Sequence, residues 1–167
     1  FLKSGDAGAA INKAILSKNN PMADVFYGVD NTLMSRALKA GVFESYESPK
    51  LKEIPDILKL DSQNRLLPVD YVDVCLNYDK RWLKDKKINP PQELEDLIKP
   101  DYAGLTVVEN PATSSPGLAF LFATIGRFGE KYYLTFWKKL RSADVLVVNG
   151  WEEAYWGHFS AASKGNR

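Results

Sequence analysis

The chain has 167 residues, of which 45% are hydrophobic, so it is long enough to bury a substantial core. Its 22 basic and 21 acidic residues leave a net charge of +1, and no basic run with interleaved aromatic residues occurs. These features do not suggest a nucleic-acid partner. No apolar run approaches the roughly 20 residues that a membrane span requires.

The first part of the chain predicts two successive units of strand, loop and helix. Residues 1–3 are typical of the end of a strand, and Asp6 is a favourable N-cap for the helix that follows. Residues 23–28 (ADVFYG) predict a second strand, and Asp30 precedes a helix that should end at Gly41. Each aspartate therefore lies at the carboxyl end of a predicted strand.

The middle of the chain is less regular. Residues 44–66 are charged and contain two prolines without a clear period, which predicts irregular surface structure. Residues 67–78 (LPVDYVDVCLNY) alternate well enough to predict a long strand, with Pro68 at its start, where a proline is tolerated.

The most informative stretch covers residues 109–120 (ENPATSSPGLAF). Residues 105–108 before it predict a buried strand, and the apolar positions from 118 to 128 have helical spacing. Ser115 is the predicted N-cap, with Pro116 at the first helical position. Such a turn directs backbone N–H groups and a partial positive charge to one point, which suits an anion or the polar part of a ligand. An ordinary capped helix of an α/β sheet has the same pattern.

The last part of the chain predicts a helix, a strand and a further helix. The helix at 130–141 carries a stripe of large side chains that is more typical of a core than of a cofactor site. Residues 144–148 predict a strand, and Asn149 with Glu152 forms a capping-box pattern that places Trp151 in the first turn of the last helix. The stripe on the first of these helices consists of Tyr133, Phe136, Trp137 and Leu140.

Strands and helices alternate along the chain, which predicts an α/β fold with largely parallel sheets. In such folds ligands bind beyond the carboxyl ends of the strands. The residues at those ends offer carboxylate, hydroxyl and indole groups. They are Asp6, Asp30, Ser114, Ser115 and Trp151.

The sequence favours a binding protein over an enzyme. His158 is the only histidine, and neither Ser114 nor Ser115 lies in a nucleophile motif or at a spacing that supplies a base. Clustered metal ligands are absent from the sequence pattern. We therefore predict no catalytic residues, no metal site and no cofactor, whereas polar groups beside aromatic faces are what a small-molecule site needs.

Five motifs in succession resemble the extracellular solute-binding proteins of ABC importers and, within them, the thiamine-binding subgroup. The resemblance covers nearly the whole chain, and the motifs at 109–118 and 149–155 are its most specific part. The motifs are ADVFYGVDNTL (23–33), PVDYVDVCLNYDK (68–80), NPPQELEDL (89–97), ENPATSSPGL (109–118) and NGWEEAY (149–155).

The resemblance implies the type II fold of periplasmic binding proteins, in which two α/β lobes joined by crossing strands close on a ligand in a cleft. Residues 1–67 would form part of the first lobe, 68–77 a crossing or hinge strand, and 78–167 part of the second lobe. It also implies that the chain is an incomplete fragment, without the first strand and the C-terminal part of this fold.

The ligand-contact positions of the subgroup map to Asp6, Ser114 and Trp151, with Asp30 and Tyr155 in adjoining motif positions. The resemblance implies binding of thiamine or thiamine phosphates, as transported ligands rather than cofactors. An aspartate would offset the positive ring of thiamine, and the Trp151 indole would provide an aromatic face. The implied partner is an ABC permease and the implied location is periplasmic or extracellular, with membrane association only through a lipid anchor upstream of this chain.

Two alternatives remain open at this point. A protein of the same fold could bind a ferric ion, a polyamine or a small anion, of which the ferric ion and the anion prefer tyrosine oxygens and carboxylates to an indole. The other alternative is a cytosolic α/β enzyme domain. The irregular stretch 44–66 and Ala112 depart from the family pattern and leave the ligand's identity open.

Overall fold

The computed structural model describes residues 1–163 and 165 and divides into two compact units, Phe1–Asp73 and Val74–Arg167. The division lies inside the segment 68–77, whose role as a hinge between two lobes stays a prediction. The first unit contains helices α1 (Ala7–Leu16) and α2 (Asn31–Ala40), and the second contains α3 (Lys80–Lys86), β1 (Val107–Glu109), α4 (Ser115–Ser142) and β2 (Leu146–Val148).

In the first unit, α1 and α2 contact each other and contribute most of the buried apolar side chains. These include Ile11 and Leu33. Helix α2 ends where the sequence predicts, because Gly41 adopts the left-handed conformation (φ 62°) that terminates a helix at low cost.

The prediction of irregular structure at 44–66 is confirmed, apart from two short 3₁₀ turns at Pro49–Glu53 and Asp56–Leu58. The buried Asp61 anchors the end of this stretch. Its carboxylate accepts hydrogen bonds from the Arg65 guanidinium (3.0 Å) and from the Arg65 backbone N–H (2.8 Å). The Arg65 side chain, helped by these backbone bonds, lowers the pKa of Asp61 to about 2.

The strands predicted at 1–3, 23–28 and 67–78 do not form, so these predictions are wrong. A strand requires hydrogen bonds to a neighbouring strand, and the described part of the chain pairs none with these segments. Most of their apolar side chains consequently lie in water, as Val25 (84% exposed) and Val72 (82% exposed) illustrate.

In the second unit, β1 and β2 form a parallel pair in which Val108 lies opposite Val147 and Glu109 opposite Val148. The strands predicted at 105–108 and 144–148 are therefore confirmed, although the paired segments are shorter. Because the strands are parallel and adjacent, their carboxyl ends lie together at one edge of the sheet.

Helix α4 contains both helices predicted after β1, separated by a kink at Gly129 (φ 72°, ψ 163°). The predicted core stripe is confirmed, since Phe136 and Leu140 are buried against Leu97. The Phe128 ring stacks on Phe136 at 4.6 Å between centroids. None of the helices in the described residues, α4 included, is long and apolar enough to cross a membrane.

Candidate functional site

The loop that follows β1 is organised by Asn110. The Asn110 backbone N–H donates to the Val148 carbonyl (2.7 Å), and the Asn110 carbonyl accepts from the N–H groups of Thr113 (3.1 Å) and Ser114 (2.9 Å). The Asn110 side-chain oxygen accepts from the Ala112 N–H at 2.9 Å. The loop's backbone donors are thus largely used within the loop, which fixes the position of Ser114.

The N-cap of α4 is Ser114, not Ser115 as predicted. The Ser114 backbone is extended (φ −118°), and its hydroxyl accepts a hydrogen bond from the Gly117 N–H at 3.4 Å. Pro116 therefore occupies the second helical position and not the first, and it has no N–H to donate to a cap. The capping hydroxyl of Ser114 can therefore accept only from the backbone N–H at the third helical position, which belongs to Gly117.

Gly117 allows α4 to begin directly against the end of β1. A Cβ atom at this position would lie 2.3 Å from the Glu109 carbonyl oxygen and 2.8 Å from the Glu109 carbonyl carbon. Both atoms belong to the backbone, so neither can rotate away as the end of a long side chain could. The close contact between strand and helix therefore requires glycine.

The carboxylate of Glu109 lies beside the N-terminus of α4. The Ser114 hydroxyl donates a hydrogen bond to Glu109 Oε2. A negative charge at this end of a helix is favourable, because the helix dipole places partial positive charge there. The protein's own carboxylate is thus already present at the predicted anion cradle.

The two serines consequently differ in their surroundings. Ser114 is only 1% exposed and its hydroxyl is bonded to Glu109 and Gly117. Ser115 is half-buried, and its hydroxyl and backbone N–H have no hydrogen-bond partner among the residues that the structure describes. Of the two, Ser115 is the one with donors available to a ligand.

We expect Ser114→Ala to lower the free energy of unfolding by about 1–2 kcal/mol, because it removes the cap of α4. Ser115→Ala is the matched control and should change stability by less than about 0.5 kcal/mol, since it deletes a hydroxyl without a partner. Urea unfolding followed by circular dichroism measures both values. Equal losses for the two variants would contradict the placement of the cap at Ser114.

The turn that follows β2 places Trp151 in the first turn of the last helix, as predicted. The reciprocal capping residue is Glu153, however, and not the predicted Glu152. The Glu153 carboxylate accepts from the Asn149 backbone N–H at 3.1 Å, because the helix begins at Trp151, one residue later than an Asn149 cap requires. The Thr113 hydroxyl donates to the Asn149 carbonyl at 2.6 Å and thereby joins this turn to the loop after β1.

Trp151 belongs to an aromatic cluster at this edge of the sheet. Its ring stacks on Tyr155 with 4.8 Å between centroids and 12° between planes. Trp151 is 44% exposed, so it is not a core residue. Trp156 stands perpendicular to both rings, at 6.1 Å from Trp151 and 4.9 Å from Tyr155.

The structure therefore brings four of the predicted site residues to one edge of the second unit, where the carboxyl ends of β1 and β2 meet. These residues are Ser114, Ser115, Trp151 and Tyr155. Sequence reasoning does not select Glu109 or Trp156 as site residues. Glu109 is a strand residue without a pattern of its own, and Trp156 joins the cluster only through the shape of the last helix.

Asp6 and Asp30 lie in the first unit, where each caps a helix as predicted. Asp6 accepts from the Ala7 N–H at 2.9 Å, and Asp30 accepts from the Thr32 N–H (3.1 Å) and the Thr32 hydroxyl (2.7 Å). Their role toward a ligand stays a prediction. Within residues 1–163 and 165, no three His, Cys, Asp or Glu side chains come together as a metal site.

Comparison of this chain with solved structures shows the class of protein to which its fold belongs. A periplasmic binding protein matches 87% of this chain with a TM-score of 0.69 at 23% sequence identity, which supports the fold alone. A "Periplasmic thiamin binding protein" matches 90% of the chain with a TM-score of 0.67 at 29% identity. The predicted α/β fold of a periplasmic binding protein is thus confirmed.

Sequence comparison then places the chain in a family. The model of the family described as "Bacterial extracellular solute-binding protein" matches residues 20–163. The chain belongs to this family. The "Thiamine-binding periplasmic protein" of Escherichia coli (strain K12) is 33% identical over 151 residues, which are 90% of this chain and 44% of the relative. The chain thus spans less than half the length of this relative. It likewise matches only 45% of the chain of the solved thiamin binding protein.

Proposed function

We propose that the protein binds thiamine or its phosphates as the solute-binding component of an ABC importer. The observation that carries this proposal is the exposed Trp151 ring, stacked on Tyr155 at the sheet edge that also bears Ser115. The similarity to proteins named as thiamine-binding supports the same ligand.

The aromatic pair suits a flat cationic ligand. Thiamine contains a positively charged thiazolium ring, and a cation over an indole face gains about 0.5–1 kcal/mol in water and about 2 kcal/mol where water is excluded. The stack with Tyr155 holds the Trp151 ring in one orientation, so less rotamer freedom remains to be lost on binding. The Ser115 hydroxyl can donate to the hydroxyl tail of thiamine.

The charge at this edge favours a cation over a small anion. An anion placed at the N-terminus of α4 would face the Glu109 carboxylate, which already bonds to Ser114. A ferric ion requires several oxygen ligands, whereas the edge presents mainly aromatic faces. A polyamine is also cationic, but it has no ring to stack on Trp151.

In this proposal the protein acts as a binding protein without catalysis, and its partner is a membrane permease of the ABC type. Its relatives are named periplasmic proteins, which supports a location outside the cytoplasm. Attachment to the membrane through a lipid anchor stays a prediction, as does the contribution of Asp6 and Asp30 to the charge around the ligand.

Thermal unfolding of the full-length protein with a panel of ligands tests the proposal. We expect thiamine or a thiamine phosphate to raise the Tm by several degrees, because a ligand at 100 times its Kd stabilises the folded state by about 2.7 kcal/mol. Ferric citrate, spermidine and inorganic phosphate are the comparison ligands. A shift with one of these and none with any form of thiamine would transfer the assignment to that ligand.

A further inference from the structure

The segments that build the sheet edge around Trp151 carry acidic side chains but no lysine or arginine. Neither cationic residue type occurs in residues 100–126, which include β1 and the start of α4, or in residues 142–163, which include β2 and the last helix. Glu109 is the last residue of β1 and pairs with Val148, three residues before Trp151. The charge that these segments bring to a ligand at this edge is therefore negative.

The N-terminus of α4 supplies partial positive charge at this edge, but the Glu109 carboxylate already lies against it. The Ser114 hydroxyl donates to Glu109 Oε2 and accepts from the Gly117 N–H. In the described part of the chain, the first turn of α4 leaves the hydroxyl and the backbone N–H of Ser115 as donors for a ligand. Two donors beside a carboxylate suit a neutral oxygen such as a hydroxyl group.

A phosphate group makes different demands on a site. A phosphate monoester carries a charge of about −1.5 to −2 at pH 7. Proteins usually bind it with arginine or lysine, or with several free N–H groups of a helix N-terminus. Near the Glu109 carboxylate this charge is repelled, because salt screens charges only beyond about 8 Å at physiological ionic strength. The thiazolium ring of thiamine is positive, so the same carboxylate attracts it.

We propose that Glu109 determines the specificity of the site for the phosphorylation state of its ligand, so that thiamine binds more tightly than thiamine monophosphate or diphosphate. This inference rests on the proposed function. The Thr113 hydroxyl joins the loop after β1 to the turn after β2 through the Asn149 carbonyl (2.6 Å). A ligand that stacks on Trp151 therefore lies at the same sheet edge as Glu109.

Isothermal titration of thiamine and its two phosphates into the full-length protein tests the specificity. The Kd of thiamine monophosphate should be about 5- to 30-fold higher than the Kd of thiamine, as expected for one like charge at a partly screened site. Added salt should reduce this ratio, because it screens the repulsion. Equal affinities, or tighter binding of the monophosphate, would overturn the role of Glu109 and leave thiamine binding intact.

Glu109→Gln tests the residue itself, because glutamine removes the charge but keeps a side-chain oxygen that can accept from Ser114. Thiamine should bind about 2- to 5-fold more weakly, and thiamine monophosphate about 2- to 5-fold more tightly. The ratio of the two Kd values should therefore fall toward one. A variant that weakens both ligands by the same factor would show that Glu109 has only a structural role and would overturn the proposal.

Glu130→Gln is the matched control, because it removes the same charge from an exposed residue of α4. Glu130 follows the kink at Gly129, about four helical turns from the start of the helix. Both Kd values should stay unchanged in this variant. An equal change of their ratio in Glu109→Gln and Glu130→Gln would assign the effect to net charge and overturn the proposal. A wild-type protein that binds no form of thiamine would overturn the proposed function and this inference together.

Discussion

Gly117→Ala is expected to lower the free energy of unfolding by about 1–3 kcal/mol, the usual cost of forcing an extra methyl group into a packed site. The added Cβ would meet the Glu109 carbonyl oxygen at 2.3 Å. This contact can be relieved only by moving the start of α4 away from the end of β1. Urea unfolding followed by circular dichroism measures the loss.

The same displacement should affect the ligand site. Ser114 and Ser115 lie between Glu109 and Gly117, so moving α4 weakens the Ser114 cap and shifts the Ser115 donors. We therefore expect Gly117→Ala to reduce affinity for thiamine as well as stability. A variant that unfolds at a lower urea concentration yet binds thiamine normally would show that the helix start does not contribute to the site.

Gly126→Ala is the control for this prediction, because Gly126 lies in the same helix and a methyl group added there would meet no neighbouring atom within 4 Å. An exposed helical glycine costs about 0.5–1 kcal/mol relative to alanine, so this variant should be neutral or more stable. Losses of equal size in Gly117→Ala and Gly126→Ala would contradict the explanation by close contact with Glu109.

The features predicted correctly from the sequence are those that depend on near neighbours. Asp6 and Asp30 are recognisable as N-caps because a side-chain oxygen bonds to backbone N–H groups one to three residues further on. The end of α2 at Gly41 follows from the conformational freedom of one residue.

The incorrect predictions depend on distant parts of the chain. Residues 67–78 alternate as a strand does, and residues 23–28 contain the β-branched and aromatic side chains that strands favour. A strand also needs a partner, however, and pairing is not encoded within the segment itself. The choice between Ser114 and Ser115 as the N-cap of α4 is likewise not determined by the local sequence. Both serines fit the local pattern of a cap, and in the structure Ser114 is the cap, with its hydroxyl bonded to Glu109 and Gly117.

The candidate site is predictable in its residue types but not in its geometry. The motif around Trp151 and Tyr155 indicates an aromatic site near Ser114, and the structure places these residues at one sheet edge. The π-helical turn that places Trp156 beside this pair has no reliable sequence signal, since its hydrogen bonds span only one residue more than those of an α-helix.

Trp151→Ala is expected to raise the Kd for thiamine about 5- to 30-fold, which corresponds to the loss of about 1–2 kcal/mol of stacking and cation–π energy. Titration calorimetry on the full-length protein measures the change. The effect should be specific to this position, because Trp151 offers a face held in place by Tyr155. Trp151→Phe should recover part of the affinity, since phenylalanine retains a ring with a weaker attraction for cations.

The same substitution should have little effect on folding, because Trp151 is 44% exposed and lies outside the core formed by Leu97, Phe136 and Leu140. Phe122→Ala is the matched control. Phe122 is 49% exposed on α4, so its removal deletes a similar exposed aromatic ring but should leave the Kd unchanged. Equal weakening of thiamine binding in both variants, or unfolding of Trp151→Ala at room temperature, would mean that Trp151 has a structural role and that thiamine binds through other residues.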